Sequence, residues 1–276
     1  MRQILSISTK EVRDGLRNRW VVATTLLLVI FALVLGMLGS APTGTVKVDP
    51  LTVTLVSLSS LSIFLIPLIA LLLSYDAIVG EVERGTMSLL LSYPIARWQV
   101  LAGKFVGHLI ILAIATVVGY GIAGVVLHFL YGGSSAAAWG DFAKMIGLSV
   151  FLGASFLSIG YLLSTLVRER ATAAGLALFV WLFMVVIFDM ALIGVLVADT
   201  KQVITADMLN TILLFNPADI YRLLNLVGSE NISLFAGMAG LSDQMNLQAS
   251  VLYAALALWI FIPFVVAVIV FNRKQL

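Results

Sequence analysis

The chain has 276 residues, 61% of them hydrophobic and only 11% charged, with a mean hydropathy of +1.11. A soluble globular domain carries roughly a quarter charged residues, so the composition excludes that class and specifies a polytopic membrane protein, one transmembrane unit with short loops and no separate catalytic domain. The net charge of +2 leaves no nucleic-acid footprint, and the absence of cysteine excludes disulfides, thiolate zinc sites, iron–sulfur clusters and thiol catalysis.

Residues 1–19 hold Arg2, Lys10, Arg13, Arg17 and Arg19, with Leu5, Val12 and Leu16 recurring near helical spacing on another face. That pattern predicts an interfacial helix. The apolar run from Trp20 to Leu38 follows, about 19 residues or roughly 29 Å of helix, enough to cross a hydrocarbon core. A signal peptide is the competing expectation, disfavoured by Glu11 and Asp14 in the basic segment and by an apolar run longer than an h-region. Further spans are predicted at about Val53 to Tyr75, Phe105 to Tyr131, Phe142 to Val167, Thr172 to Val197 and Ala249 to Phe271, which makes an all-α bundle of six transmembrane helices. Twelve basic residues fall on the side of the termini (Arg2, Lys10, Arg13, Arg17, Arg19, Arg84, Arg97, Lys104, Arg168, Arg170, Arg273, Lys274) and four on the other (Lys47, Lys144, Lys201, Arg222). By the positive-inside rule both termini are expected in the cytoplasm.

Between spans five and six lies the one sizeable outer segment, residues 198–248, with Asp199, Asp207, Asp219, Glu230 and Asp243 against two bases. Asn216 suits an N-cap, Pro217 the first helical position and Asp219 the positive end of the helix dipole. Ile220, Leu223, Leu224 and Val227 then follow at the spacing of one apolar face. Such a helix either docks on an extracytoplasmic partner through Asn216, Pro217, Asp219, Tyr221, Arg222 and Leu224, or packs as a lid on the bundle itself.

No phosphate-binding Gly-x-x-x-x-Gly-Lys loop is present, nor His-Glu-x-x-His, nor Gly-x-Ser-x-Gly. The chain is therefore expected to be no enzyme, and any ATP is hydrolysed by another subunit. Asp189 is the one charged residue in the middle of a span; it faces the interior, is protonated, or lies beyond a helix that ends early, and it has no basic partner on another span. His108 and His128 stand near opposite ends of the third span, about 30 Å apart, too far to share a metal. Met37, Met145, Met208, Met238 and Met245 fall toward the outer side, where thioethers suit copper(I), but no pair has Met-x-x-Met spacing, and no metal site is expected. Gly103, Gly107, Ala115, Gly119 and Ala123 recur at multiples of four and predict a close-packed seam, inside the bundle or between two copies.

The polar hairpin of residues 76–104 is the largest feature on the side of the termini. Gly85 breaks the helix leaving the second span, Thr86 is suited to N-cap a short helix through Met87, Ser88, Leu89, Leu90 and Leu91, and Pro94 stops it before Arg97. The three leucines have no evident partner within the chain.

The pattern Glu81-x-x-x-Gly85-Thr86-x-x-x-Leu90-Leu91-x-x-Pro94-x-x-Arg97-x-x-x-Leu101-x-x-Lys104 resembles the signature of ABC-2 type permeases, the membrane subunits of a class of ABC transporters. The resemblance covers the whole chain. It implies six helices with cytoplasmic termini in a bacterial inner membrane, and a coupling helix after the second span that sits in a groove of an ATPase subunit, with Glu81, Gly85, Thr86, Met87, Leu89, Leu90, Leu91, Pro94 and Arg97 at that contact. Length and the run from Asn216 to Arg222 are similar to the branch of the family that serves copper-site maturation of nitrous oxide reductase. That likeness implies a second copy of the chain, ATP and Mg on the partner ATPase and no cofactor here. It further implies a periplasmic protein on the outer loops and, through the complex, a copper chaperone and the reductase. An exporter of a lipid, drug, sulfur species or copper is the alternative, and a passive membrane anchor a second one.

Overall fold

The computed structural model describes residues 2–17, 19–39, 50–131, 136–198, 205–226 and 248–274. Among them the elements are α1 (Arg2–Arg17), α2 (Arg19–Gly39), α3 (Pro50–Ser74), α4 (Val79–Glu83), α5 (Thr86–Leu91), α6 (Arg97–Tyr131), α7 (Ala136–Leu166), α8 (Arg170–Leu182), α9 (Phe188–Ala198), α10 (Ala206–Leu213), α11 (Pro217–Leu226) and α12 (Ala249–Arg273). Five segments are long and apolar enough to cross a membrane: Leu55–Glu83, Arg97–Leu130, Ala136–Leu166, Arg170–Ala198 and Ala249–Arg273. Arg2–Arg17 and Val21–Met37, bent by 65°, supply a sixth when taken together. Val227, Glu230, Asp243, Asp199, Lys47, Lys201, Met238 and Met245 lie outside the described residues.

The third span begins at Arg97, not near Phe105 as expected. The residues after Pro94 are free to wind at once, and the helix runs 35 residues, about 52 Å, past the hydrocarbon thickness at the end where the termini lie. The fourth likewise starts at Ala136. In the fifth, α8 and α9 are joined by a π turn at Phe183–Ile187, a widened turn whose carbonyls are open to outside donors. Pro67 and Pro263 sit inside α3 and α12. In the turns that they loosen, Phe64 O accepts from Trp181 Nε1 at 2.9 Å and Ile260 O from Ser158 Oγ at 2.7 Å.

The small-residue seam on α6 is internal. A Cβ at Gly103 would meet Ile7, one at Gly107 would meet Glu11 and one at Gly119 would meet Leu28, each closer than 3.0 Å. Successive turns of α1 and then α2 thus lie against successive turns of α6, backbone near backbone, and the glycines are what permit it.

The outer helix is also inside. Leu223 and Leu224 are buried, and Ile220 and Tyr221 are fully so, all within a core that includes Leu58, Ile66, Leu152, Phe156 and Leu256 from α3, α7 and α12. The apolar face that predicted an amphipathic helix is turned into the bundle. Asn216, Pro217, Asp219, Tyr221 and Leu224 are buried and Arg222 is half-buried; within this chain their contacts are to the bundle.

Candidate functional site

Pro94 and Arg97 are the hinge of the hairpin to the rest of the chain. The Pro94 carbonyl accepts from Gln3 Nε2 at 3.0 Å. Arg97 Nη1 donates to Phe271 O at 2.9 Å and Lys274 O at 2.6 Å, so a cation closes the C-terminus of α12, where the helix dipole favours it. Lys274 Nζ in turn donates to Thr165 O at 3.0 Å in the last turn of α7 and to Val167 O at 2.6 Å just beyond it.

The short helix α5 starts one residue earlier than the sequence suggests. Gly85 adopts φ 71°, ψ 1°, a left-handed conformation that glycine tolerates at no steric cost, and it is the N-cap. Thr86 is the first helical residue, and its hydroxyl donates back to Glu81 O at 3.2 Å, closing the end of α4. Met87 is fully buried, and Leu90 and Leu91 are half-buried against a cluster containing Ala77, Ile78, Val100, Leu101 and Phe271. These two leucines therefore have partners within the chain, contrary to expectation. Leu89 does not share that burial; it is 68% exposed and Tyr93 64%.

Three attachments brace the hairpin. Ile78 N and Val79 N both donate to Ser164 Oγ at 3.0 Å. Asp76 takes a two-pronged ion pair from Arg170, at 2.6 Å to Nε and 2.8 Å to Nη2, while Glu83 Oε1 accepts from Arg170 N at 2.7 Å at the start of α8. The third is a buried charge network. Lys104 Nζ, with its side chain only 4% exposed, lies 2.7 Å from Glu81 Oε1 and 2.8 Å from Glu11 Oε1. Glu11 Oε2 is 3.6 Å from His108 Nε2, and His108 Nδ1 is 2.8 Å from Tyr161 Oη. Burial alone would raise the Glu11 carboxyl, but the His108 hydrogen bond and the Lys104 charge and hydrogen bond outweigh it and hold the group at about 2. A single lysine thus joins α1, α4 and α6, and His108 extends the chain of contacts to α7.

Sequence reasoning assigned Glu81 to an ATPase contact and missed Glu11, Lys104, His108 and Tyr161 as one group. A signal existed: Ile4, Ile7, Ser8, Glu11 and Gly15 share one face of α1 at helical spacing, and a carboxylate in an otherwise apolar and small stripe demands a buried cation.

At the far end, Asp189 does have a basic partner. Arg222 Nη2 donates to Asp189 Oδ2 at 2.7 Å and Nη1 to Asp219 Oδ1 at 2.6 Å. Asn216 Oδ1 accepts from Ala218 N at 3.0 Å, starting α11, and its Nδ2 donates to Met184 O at 2.7 Å in the π turn. Tyr221 Oη and Ser149 Oγ of α7 are 3.0 Å apart. Among the described residues no group of three or more His, Asp or Glu side chains is placed to hold a metal ion.

Among the described residues the chain is an all-helical bundle of five to six candidate membrane-spanning helices, with a short braced helix between the second and third of them. The profile of the ABC-2 family transporter proteins matches residues 5–276, and the chain belongs to that family, as the permease subunit of an ABC transporter. It is 43% identical over 276 residues to the probable ABC transporter permease protein NosY of Stutzerimonas stutzeri, covering 99% of both chains. To the protein of the same name in Pseudomonas aeruginosa it is 42% identical over 274 residues, again with 99% of each covered.

Proposed function

We propose that the chain is a NosY-type permease that carries ATPase-driven motion across the bacterial inner membrane in the service of copper-site maturation of nitrous oxide reductase. Both termini are cytoplasmic, in keeping with the twelve-to-four division of basic residues. α1 lies in the membrane interface. α5 is the coupling helix and meets a NosF-like ATPase, which holds the ATP and Mg; this chain contributes no catalytic group and no cofactor site. Two copies of the permease form the unit, a NosD-like protein is engaged on the periplasmic side, and a copper chaperone and the reductase join through that complex.

The observation that carries this proposal is the division of α5 into an anchored side and an exposed one. Met87, Leu90 and Leu91 are packed into the chain, and Leu89 and Tyr93 project from it. Exposed apolar side chains on a rigid support suit a protein groove. Tested as Leu89→Asp with Tyr93→Ser, this surface should lose the ATPase on co-purification at least tenfold, with membrane insertion intact because neither residue is buried. Replacing Leu90 or Leu91 would not discriminate, since both also hold the hairpin. Undiminished ATPase binding and undiminished reductase maturation in the double variant would sink the proposal. Copper export by this chain is separated by loading vesicles that lack the periplasmic partner: ATP-dependent copper accumulation there would favour it over mechanical transmission.

A further inference from the structure

The far-end ion cluster has one charge too many. Arg222 offers one cation to two carboxylates, Asp189 and Asp219. The Asp219 side chain is only 1% exposed, and its Oδ2 is buried with no hydrogen-bond partner. Both carboxyl groups are held on the one Arg222 guanidinium, Asp219 through Nη1 at 2.6 Å and Asp189 through Nη2 at 2.7 Å, so they lie side by side. Two carboxylates repel, whereas a carboxylic acid and a carboxylate form a short, strong bond; an O–H on Asp219 Oδ2 would satisfy the orphaned atom and bring the cluster to neutrality in one step.

Among the described residues, Arg222 is the cation that pairs with Asp189 and Asp219. α11 packs on α3, α7 and α12. α3 contains no ionisable residue, and α12 contains Tyr253 and, in its last turn at the opposite end, Arg273. α7 carries Asp141 and Lys144, which feel each other's charge, and Tyr161, which is bonded to His108 at the other end. On α11 itself, Tyr221 is turned to Ser149.

We propose that Asp189 and Asp219, forked on Arg222, form a one-proton site at the far end of the bundle, and that its proton holds α11 seated among the spanning helices. The three residues tie α11 to α9 across the loop, beside the Asn216 bond to the π turn. With the proton present the cluster is neutral and buried at low cost; without it a net negative charge sits in an apolar setting, and withdrawal of α11 into water relieves it. Burial pushes the Asp219 carboxyl up, the Arg222 charge opposes this and the Asp189 charge adds to it, leaving the group at about 7. The sign follows: a carboxyl raised in the seated state stabilises that state fully below its ordinary value of 3.8, and the stabilisation is lost as pH rises from there through about 7.

The chain has no cysteine, so single thiols report cleanly. Leu224→Cys, on the buried face of α11, and Met208→Cys, on the exposed surface of α10, are made in the permease bound to its ATPase in lipid nanodiscs and labelled with a membrane-impermeant maleimide. The ratio of the two rates cancels the pH dependence of the thiol. It should rise about thirtyfold between about pH 5.5 and about pH 8.5, close to tenfold per pH unit and levelling off above about 7. Asp219→Asn, which imitates the protonated acid, and Asp189→Asn, which removes the repelling charge, should each hold the ratio low and flat. An infrared band of a protonated carboxyl should be present at about pH 5.5 and disappear in Asp219→Asn, a readout that does not depend on helix motion. A flat ratio with both acids in place, a slope that persists in either Asn variant, or absence of the infrared band overturns the proposal.

Discussion

Replacing Lys104 with methionine removes the centre of the buried network while keeping the length and apolar stem of the side chain. Glu11 and Glu81 are then left facing each other, 14% and 15% exposed, with no cation between them. The fall of the Glu11 carboxyl from 4.5 to about 2 is worth about 3 kcal/mol at 1.36 kcal/mol per pH unit, shared between His108 and Lys104, and breaking a buried pair from one side typically costs about 3–5 kcal/mol. Thermal unfolding of the detergent-solubilised complex should therefore drop by about 6 to 12 °C, at roughly 2 to 4 °C per kcal/mol. A depressed carboxyl stabilises the fold above its ordinary value and loses that contribution as pH falls from about 4.5 to about 2, so the native chain should lose stability across that window and Lys104→Met should lose less there, the His108 hydrogen bond remaining. Adding Glu11→Gln to Lys104→Met removes one of the two facing charges, and with it their repulsion, and should recover at least half of the loss. An unchanged midpoint for Lys104→Met, or a double variant no more stable than the single one, would refute the assignment of this group as a buried ionic junction.

Gly107→Leu forces a side chain into Glu11 Cβ, which an added Cβ alone would approach to 2.6 Å; overpacking of this kind costs about 1–3 kcal/mol, and α1 should become the first segment cleaved in limited proteolysis. Asn216→Ala removes both the α11 cap and the bond to Met184 O. It should cost about 1–3 kcal/mol, and hydrogen exchange should show faster opening of α11 than of α10.

The bundle was legible because its cause is local. Runs of about 20 apolar residues permit little but a helix, and Gly85 and Pro94 punctuate the hairpin by their own backbone limits. The start of α6 was misplaced for a related reason: hydropathy marks where lipid begins, not where hydrogen bonding does, and Arg97 to Lys104 is helical but polar. What was not legible depends on contacts between residues far apart in sequence. Leu90 and Leu91 looked free because Val100 and Phe271, which help to cover them, lie elsewhere in the chain. Asp189 looked unpartnered because its arginine is in a loop whose helix folds back onto the bundle. The apolar face of α11 was read correctly as a face; its direction was open, since periodicity identifies what a helix hides and not from which side the cover comes.

The spanning helices divide into interrupted and unbroken ones, α2, α6 and α7 being unbroken, and this bears on the proposed transmission. α3 and α12 are interrupted by Pro67 and Pro263, and α8 and α9 are joined by a π turn. α6 and α7 have no such break over 35 and 31 residues. α7 receives the buried network at Tyr161 and holds α11 at Ser149, twelve residues or about 18 Å along one helix. An unbroken helix resists shortening, so in the proposed transmission a displacement of α4 and α5 that moves Lys104 and His108 would reach Tyr161 through contacts of 2.7 to 3.6 Å and would leave at Tyr221 through the segment between. The kinked helices are the ones able to bend around such a strut. That division of labour places flexibility in the interrupted spans and rigidity in the pair that connects the two ends.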